Sequence, residues 1–176
     1  MATTHGSPDP SAWVVRFSPL VPDGPVLDVA AGGGRHTRWF ADRGHPVVAV
    51  DRRVEALLPL ASESVQVVRA DLEEGAWPFE AERFAGVVVT NYLWRERLPE
   101  LLGSVRPGGV LIYETFGVGN ERFGKPSNPA FLLRPGELRE ACTDAFEVEA
   151  YEHLEVTEPK PAIVQRICAI RRCSSG

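Results

Sequence analysis

Cysteine and lysine are scarce in this chain of 176 residues. The three cysteines, Cys142, Cys168 and Cys173, fit no zinc-ligand spacing, and three thiols do not make a disulfide framework. Reduced thiols in a cytoplasmic protein, Cys168 in a buried strand, and no metal site are the expectation. Long hydrophobic runs are absent as well. None approaches the ~20 apolar residues that a membrane span requires, so no membrane association is expected. Residues 1–8 lack a basic region followed by an apolar core, so no signal peptide is expected. Lysine occurs only at Lys125 and Lys160, with arginine supplying the other basic residues. That skew, with abundant Ala, Gly, Pro and Val, resembles the product of a GC-rich bacterial genome. The net charge of −5 disfavours nucleic acid as a partner.

What remains is ordinary globular usage, 44% hydrophobic and 24% charged. A chain this long buries ~70% of its unfolded surface without needing disulfides. Its length predicts a single domain over 1–176, with 1–23 as an N-terminal segment and candidate lid and 174–176 as a loose tail. Residues 1–10 read as a loose start, and nothing in the composition speaks to oligomeric state.

Along the chain, apolar runs and amphipathic stretches alternate. Ser11 to Leu20 carries Trp13, Val14 and Phe17 at helical spacing. Strands are predicted at 26–30, 47–50, 65–68, 86–90, 110–113, 146–153 and 163–171. Helices are predicted at 35–43, 54–60 (broken by Pro59), 95–105 and 135–142, the last with Pro135 in its first position. The early strands are almost wholly apolar, as parallel strands covered on both faces are. The predicted fold is α/β: a Rossmann-like, open, mostly parallel seven-stranded sheet with helices on both faces. Only a turn-rich link, Glu158-Pro159-Lys160-Pro161, joins the last two strands, so these form an antiparallel edge pair.

In such a sheet ligands bind beyond the C-terminal ends of the strands. There lies Asp28-Val29-Ala30-Ala31-Gly32-Gly33-Gly34-Arg35-His36-Thr37. Its glycines let a ligand approach the backbone, and the helix that follows points its N-terminus at that ligand. Asp51 ends the second strand, where a carboxylate can accept both hydroxyls of a ribose. Asp71, after Ala70 and before Leu72, follows the third strand, where it can accept from an adenine amine. Asn91 ends the fourth. The segment lacks the third glycine of a dinucleotide fingerprint and the lysine of a phosphate-binding loop. Asp28 would disfavour a pyrophosphate but tolerate a cationic ligand such as S-adenosylmethionine.

These segments resemble the class I S-adenosylmethionine-dependent methyltransferases from about Val26 to Arg171. Asp28-x-x-x-Gly32-x-Gly34 is similar to the family's first motif, with Ala30 where glycine is usual. Asp51 resembles its ribose acid and Ala70-Asp71 its adenine-proximal pair. Thr90-Asn91-Tyr92 resembles its fourth motif, and Arg106-Pro107-Gly108-Gly109 the turn before its fifth strand. A nearer resemblance is to small bacterial methyltransferases of the tellurite-resistance type. Gly34-Arg35-His36, the wide loop after the fifth strand and Leu133-x-Pro135-Gly136-Glu137-Leu138 carry it. The resemblance implies S-adenosylmethionine as cofactor, S-adenosylhomocysteine as product and a small-molecule acceptor. That acceptor could be a soft nucleophile such as a thiol or a chalcogen oxyanion. Cofactor-binding residues are then expected at Asp28, Ala30, Gly32, Gly34, Arg35, Asp51, Arg52, Ala70, Asp71, Leu72 and Asn91.

For the acceptor, Tyr92 and Trp94 after strand four, and Thr115 and Phe116 after strand five, are placed to shape a pocket. Trp13 is a candidate lid. Arg122 lies in the loop from Gly117 to Phe131, which is expected to close over an anionic or small polar acceptor. Tyr92, Glu114 and His36 are the candidates for proton transfer. Two other classes stay open: a nicotinamide-dependent oxidoreductase, and a non-catalytic module that binds a nucleoside and regulates a partner.

Overall fold

A computed structural model of the protein describes residues 9–174. Residues 1–8, which hold most of the expected loose start and the stretch where no signal peptide was expected, and residues 175–176 of the tail, lie outside these. Seven strands form one sheet: β1 (Val26–Val29), β2 (Val47–Asp51), β3 (Val65–Arg69), β4 (Phe84–Thr90), β5 (Val105–Phe116), β6 (Phe146–Val156) and β7 (Ala162–Arg171). Their order is β3-β2-β1-β4-β5-β7-β6. The first five are parallel, and β7 pairs antiparallel with both β5 and β6.

Strand pleating divides the core in two. Leu27, Val29, Val87, Val89, Leu111 and Tyr113 face one side. There they meet α3 (Leu98–Gly103) through Leu98 and Leu101, and α4 (Glu137–Cys142) through Leu138. Val26, Val88, Val110, Ile112 and Cys168 face the other side, with Trp13, Val14 and Phe17 of α1 (Ala12–Phe17) and Phe40 of α2 (Arg35–Ala41). Helices thus cover both faces, two on each. The alternation that buries Leu27 and Val29 on one face turns Asp28 and Glu114 toward the other, where α1 and α2 lie.

Several local expectations are corrected. The helix expected at 54–60 is only a 3₁₀ turn, Leu58–Leu60, because Pro59 and the short span leave no room for a run of α-helical bonds; a single one, from the Leu58 amide to Val54 O at 2.9 Å, forms before it. The helix expected at 95–105 opens with a 3₁₀ turn at Arg95–Arg97 and becomes α-helical at Leu98. Pro135 lies outside α4, which starts after left-handed Gly136. β5 starts at Val105, and its first part pairs with β4 through an irregularity between Phe84 and Gly86. The thiols behave as foreseen for Cys168, which is buried in β7, and burial pushes its ionisation up to about 12. No helix among the described residues is long and apolar enough to cross a membrane.

The β4–β5 irregularity predicts a stability effect. A Cβ on Gly109 would lie 2.9 Å from the carbonyl oxygens of both Arg106 and Phe84 and 3.0 Å from that of Ala85. Backbone cannot rotate aside as a side chain can. Gly109→Ala should therefore lower the urea midpoint, with a loss of about 1–3 kcal/mol. An unchanged midpoint would mean that the strand start yields freely.

Candidate functional site

The sheet order reverses at β1, which has β2 on one side and β4 on the other, and a crevice opens beyond their C-terminal ends. The chain leaves β1 in a tight turn. Ala30, Gly32 and Gly34 have φ of 53°, 55° and 79°. Holding alanine in that left-handed region costs roughly 1–2 kcal/mol, which the surrounding bonds must offset. Ala31 donates its amide to Val50 O at 3.0 Å. Gly32 donates its amide to Asp51 Oδ2 at 2.9 Å, and Arg53 donates to Oδ1 at 2.9 Å. Each carboxylate oxygen retains a second lone pair for a ligand hydroxyl. A Cβ on Gly32 or Gly33 would meet nothing within 4 Å, so this loop borders open space. On Gly34 it would collide with Leu60 and press on Leu57.

Next to Asp51 is a cavity of about 350 Å³ walled by Ala30, Asp51, Arg52, Ala70, Asp71, Leu72, Glu73, Tyr92 and Phe131. Most of the strand-end residues singled out in the sequence thus come together. Asp71 is oriented by its own turn, accepting the Glu73 amide on Oδ1 at 3.0 Å. Asn91, left-handed with φ 54°, is exposed and outside this wall. Tyr92, expected near the acceptor, stands in the nucleoside-sized cavity. Burial, with Glu73 and Asp71 adding to it, pushes its phenol up to about 12. Glu73 and Phe131 went unread in the sequence. Glu73 was legible as the second acid of the Asp71 turn, whereas Phe131 arrives from a distant loop with no local signal.

The remaining candidates form a second cluster on the α1–α2 face. Asp28, 2% exposed, accepts the Thr37 hydroxyl on Oδ2 at 2.7 Å. Burial raises its pKa to about 7 against the pull of Thr37 and Arg35. Ser11 donates its amide to His36 Nε2 at 3.0 Å and its hydroxyl to Glu114 Oε1 at 2.7 Å. Arg35 donates to the Asp9 carbonyl at 3.1 Å. Burial lowers the His36 pKa to about 3, so the ring is a neutral acceptor. The other oxygen of Glu114 pairs with Arg166 at 3.1 Å, and Arg166 pairs with Glu152 at 2.7 Å. Trp13, foreseen as a lid, is 2% exposed, with its indole N–H on Ile167 O at 3.1 Å and the Arg166 guanidinium 4.8 Å from its ring.

The loop after β5 is tied down rather than structureless. Buried Asn120 bridges Pro126 O and the Ile163 amide. Arg95 binds Glu137 through two bonds, 2.7 and 2.9 Å, and also donates to Ala130 O and Leu132 O. Burial pushes the Glu137 carboxyl up, but the Arg95 bonds and the Arg134 amide outweigh it and hold its pKa below the usual range. Thr115 is buried, and the Phe116 carbonyl accepts the Leu133 amide at 3.0 Å. Arg122 is exposed and lies over the Phe123 ring. Trp94 has its indole N–H buried.

The Asp28 pKa rises on folding, so in the intervening window the folded state holds the proton more tightly than the unfolded chain. Its contribution to stability is therefore lost as pH rises from about 4 toward and through about 7. Asp28→Asn keeps an acceptor for Thr37 and removes the charge. In pH-dependent urea unfolding, the wild-type decline across this window should flatten in the variant. Parallel declines in the two proteins would assign the effect to another group.

Comparison with known proteins places this geometry. Residues 26–109 match the family model described as a methyltransferase domain. A malonyl-acyl-carrier-protein O-methyltransferase of Salmonella typhimurium is 34% identical over 103 residues, 54% of this chain and 40% of that relative's length. A solved structure of 1,6-didemethyltoxoflavin-N1-methyltransferase from Burkholderia thailandensis, with bound 1,6-didemethyltoxoflavin and S-adenosylhomocysteine, superposes with a TM-score of 0.69 at 23% identity. It covers 92% of this chain and 77% of its own. An S-adenosylmethionine-dependent methyltransferase from Methanosarcina mazei gives 0.69 at 18% identity, covering 94% and 100%. The strand-end acids, the open glycine loop and the nucleoside-sized cavity suit S-adenosylmethionine. Residues 26–109 thus resemble a methyltransferase domain, and the described chain shares the fold of the S-adenosylmethionine-dependent methyltransferases it superposes on.

Proposed function

We propose that the protein transfers a methyl group from S-adenosylmethionine to a small nucleophile that is already anionic or carries a soft lone pair. The observation that carries the cofactor half is the cavity beside the Gly32–Asp51 bond, with Asp51 and Asp71 on its wall. Asp51 would take the ribose hydroxyls and Asp71 the adenine amine. Asp28 and the 32–34 loop would face the methionyl end, with Arg35 and Asn91 at its border. When bound, the cofactor supplies a sulfonium methyl group open to in-line displacement, so the protein's task is orientation and exclusion of water.

The acceptor half rests on the condition of the candidate bases. His36 Nε2 is occupied by the Ser11 amide, Glu114 is held between Ser11 and Arg166, and the Tyr92 phenol keeps its proton. None of the three is poised to take a proton from a hydroxyl or an amine. A thiolate, a carboxylate or a chalcogen oxyanion needs no such base. The Salmonella relative is named for O-methylation of a malonyl group, which supports a carboxylate within this class. The motifs resembling the tellurite-resistance type support an oxyanion equally. Exposed Arg122 and Lys125 on the loop after β5 favour an anion. Trp94, Thr115 and Phe116 would line the acceptor's path, and Trp13 would brace the N-terminal segment beside it.

Calorimetric titration with S-adenosylmethionine, S-adenosylhomocysteine and NAD tests the first half. Micromolar binding of the first two and none of NAD is expected; binding of NAD alone would restore the oxidoreductase. Asp51→Ala should weaken S-adenosylmethionine by on the order of 10-fold or more, since hydrogen bonds to a charged group contribute ~1.5–3 kcal/mol. Unchanged affinity would remove Asp51 from the site. For the second half, Glu114→Gln should leave a substantial part of any methyl transfer intact, whereas a loss beyond 10³-fold would make Glu114 the base.

A further inference from the structure

One residue fastens the N-terminal segment to two elements at once. Ser11 donates its amide to His36 Nε2 at 3.0 Å and its hydroxyl to Glu114 Oε1 at 2.7 Å. The same hydroxyl accepts the Trp13 amide at 3.2 Å and so caps α1. Two residues earlier, the Asp9 carbonyl accepts a bond from Arg35 at 3.1 Å. Residues 9–11 are therefore a strap, gripped by two successive residues in the first turn of α2 and by the end of β5. Behind it α1 is seated by apolar burial, with Trp13 2%, Val14 0% and Phe17 8% exposed. The strap is attached by polar bonds, with Asp9 exposed and Ser11 half-buried. Breaking such bonds costs less than unseating the helix, so the strap can lift while α1 stays.

The strap's position indicates which part of a ligand it faces. Arg35 and His36 directly follow the Gly32–Gly34 loop. None of Asp9, Ser11, Arg35, His36 and Glu114 lines the cavity walled by Asp51 and Asp71. A ligand seated there reaches the strap only with the part that passes Ala30 along the glycine loop. We infer that Ser11 is a positioning residue whose two bonds keep residues 9–11 closed over the methionyl end of the bound cofactor, so that this end is released only when the strap lifts. This rests on the reading of the cavity as the nucleoside site of S-adenosylmethionine. The Ser11 amide and hydroxyl are engaged by the protein, so the strap retains the ligand by enclosure rather than by bonds to it. Enclosure acts on the dissociation rate.

Stopped-flow dissociation from the full chain tests this with S-adenosylhomocysteine and 5′-methylthioadenosine, which keeps the nucleoside and lacks the amino acid. Ser11→Asp retains a cap for α1 but sets a carboxylate against Glu114. His36→Phe removes the acceptor of the Ser11 amide and keeps a ring in that buried position. Each should speed release of S-adenosylhomocysteine roughly 3- to 10-fold, the equivalent of one hydrogen bond, and that of 5′-methylthioadenosine by less than about 2-fold. Ser11→Thr keeps both donors and should release the two ligands as the wild type does. Amide hydrogen exchange at position 11 should quicken in Ser11→Asp and His36→Phe, with the second half of α1 still protected. Equal acceleration of the two ligands, acceleration of neither, or unchanged exchange at position 11 would each overturn the assignment. If the wild type binds neither ligand, the methyltransferase reading itself falls, and this inference with it.

Discussion

The bond from the Gly32 amide to the Asp51 carboxylate ties the turn after β1 to the end of β2, and the rest of the site depends on it. Adjacent parallel strands lie ~4.8 Å apart, so the chain leaving β1 must turn at once to stay within reach of Asp51. It does so through left-handed backbone at Ala30, Gly32 and Gly34. The last of these starts α2 directly, so Thr37 comes under Asp28 and His36 comes under Ser11. One short loop thereby positions the acid beneath the site, the acid at its edge and the seat of the N-terminal segment. Pocket and fold are stabilised by the same bonds.

The residues that chemistry nominates as proton carriers have become fasteners. A buried imidazole or carboxylate must find partners, and on the α1–α2 face those partners are one another. Arg166 pairs with Glu114 and Glu152, its opposite neighbours on β5 and β6, so the contacts follow from strand register. Ser11 then joins that ladder to His36. The arrangement orders the N-terminal segment over the strand ends. It also leaves His36 and Glu114 engaged with partners of their own, which the proposed reaction tolerates because the cofactor would supply its difficult chemistry.

On the opposite face Arg95 does comparable work. Its guanidinium gathers Glu137 and two carbonyls of the 117–136 segment at once, using the fork geometry that lysine lacks. The loop is thus held by its base, and Phe131 is delivered to the nucleoside-sized cavity. A segment that reads in sequence as a cover for the acceptor also contributes Phe131 to the wall of this cavity.

Strand positions, the parallel sheet with its reversed edge pair, the glycine turn and the strand-end acids Asp51 and Asp71 were legible in the sequence. Each depends on a local rule: apolar runs for buried strands, glycine for positive φ, and topology that brings strand ends to one edge. The helix expected before Leu60 was not realised, because Pro59 tips a marginal segment into a single turn. The destinations of Trp13, His36, Glu114 and Tyr92 were decided only by the tertiary structure. Their types allow catalysis, packing or capping equally. The choice depends on partners far away in the chain, such as Ile167 for Trp13, Ser11 for His36 and Arg166 for Glu114. Periodicity and turn chemistry are local properties and are written in short stretches of sequence. Which polar groups meet after the strands align is a property of register across the whole sheet, and no short stretch contains it.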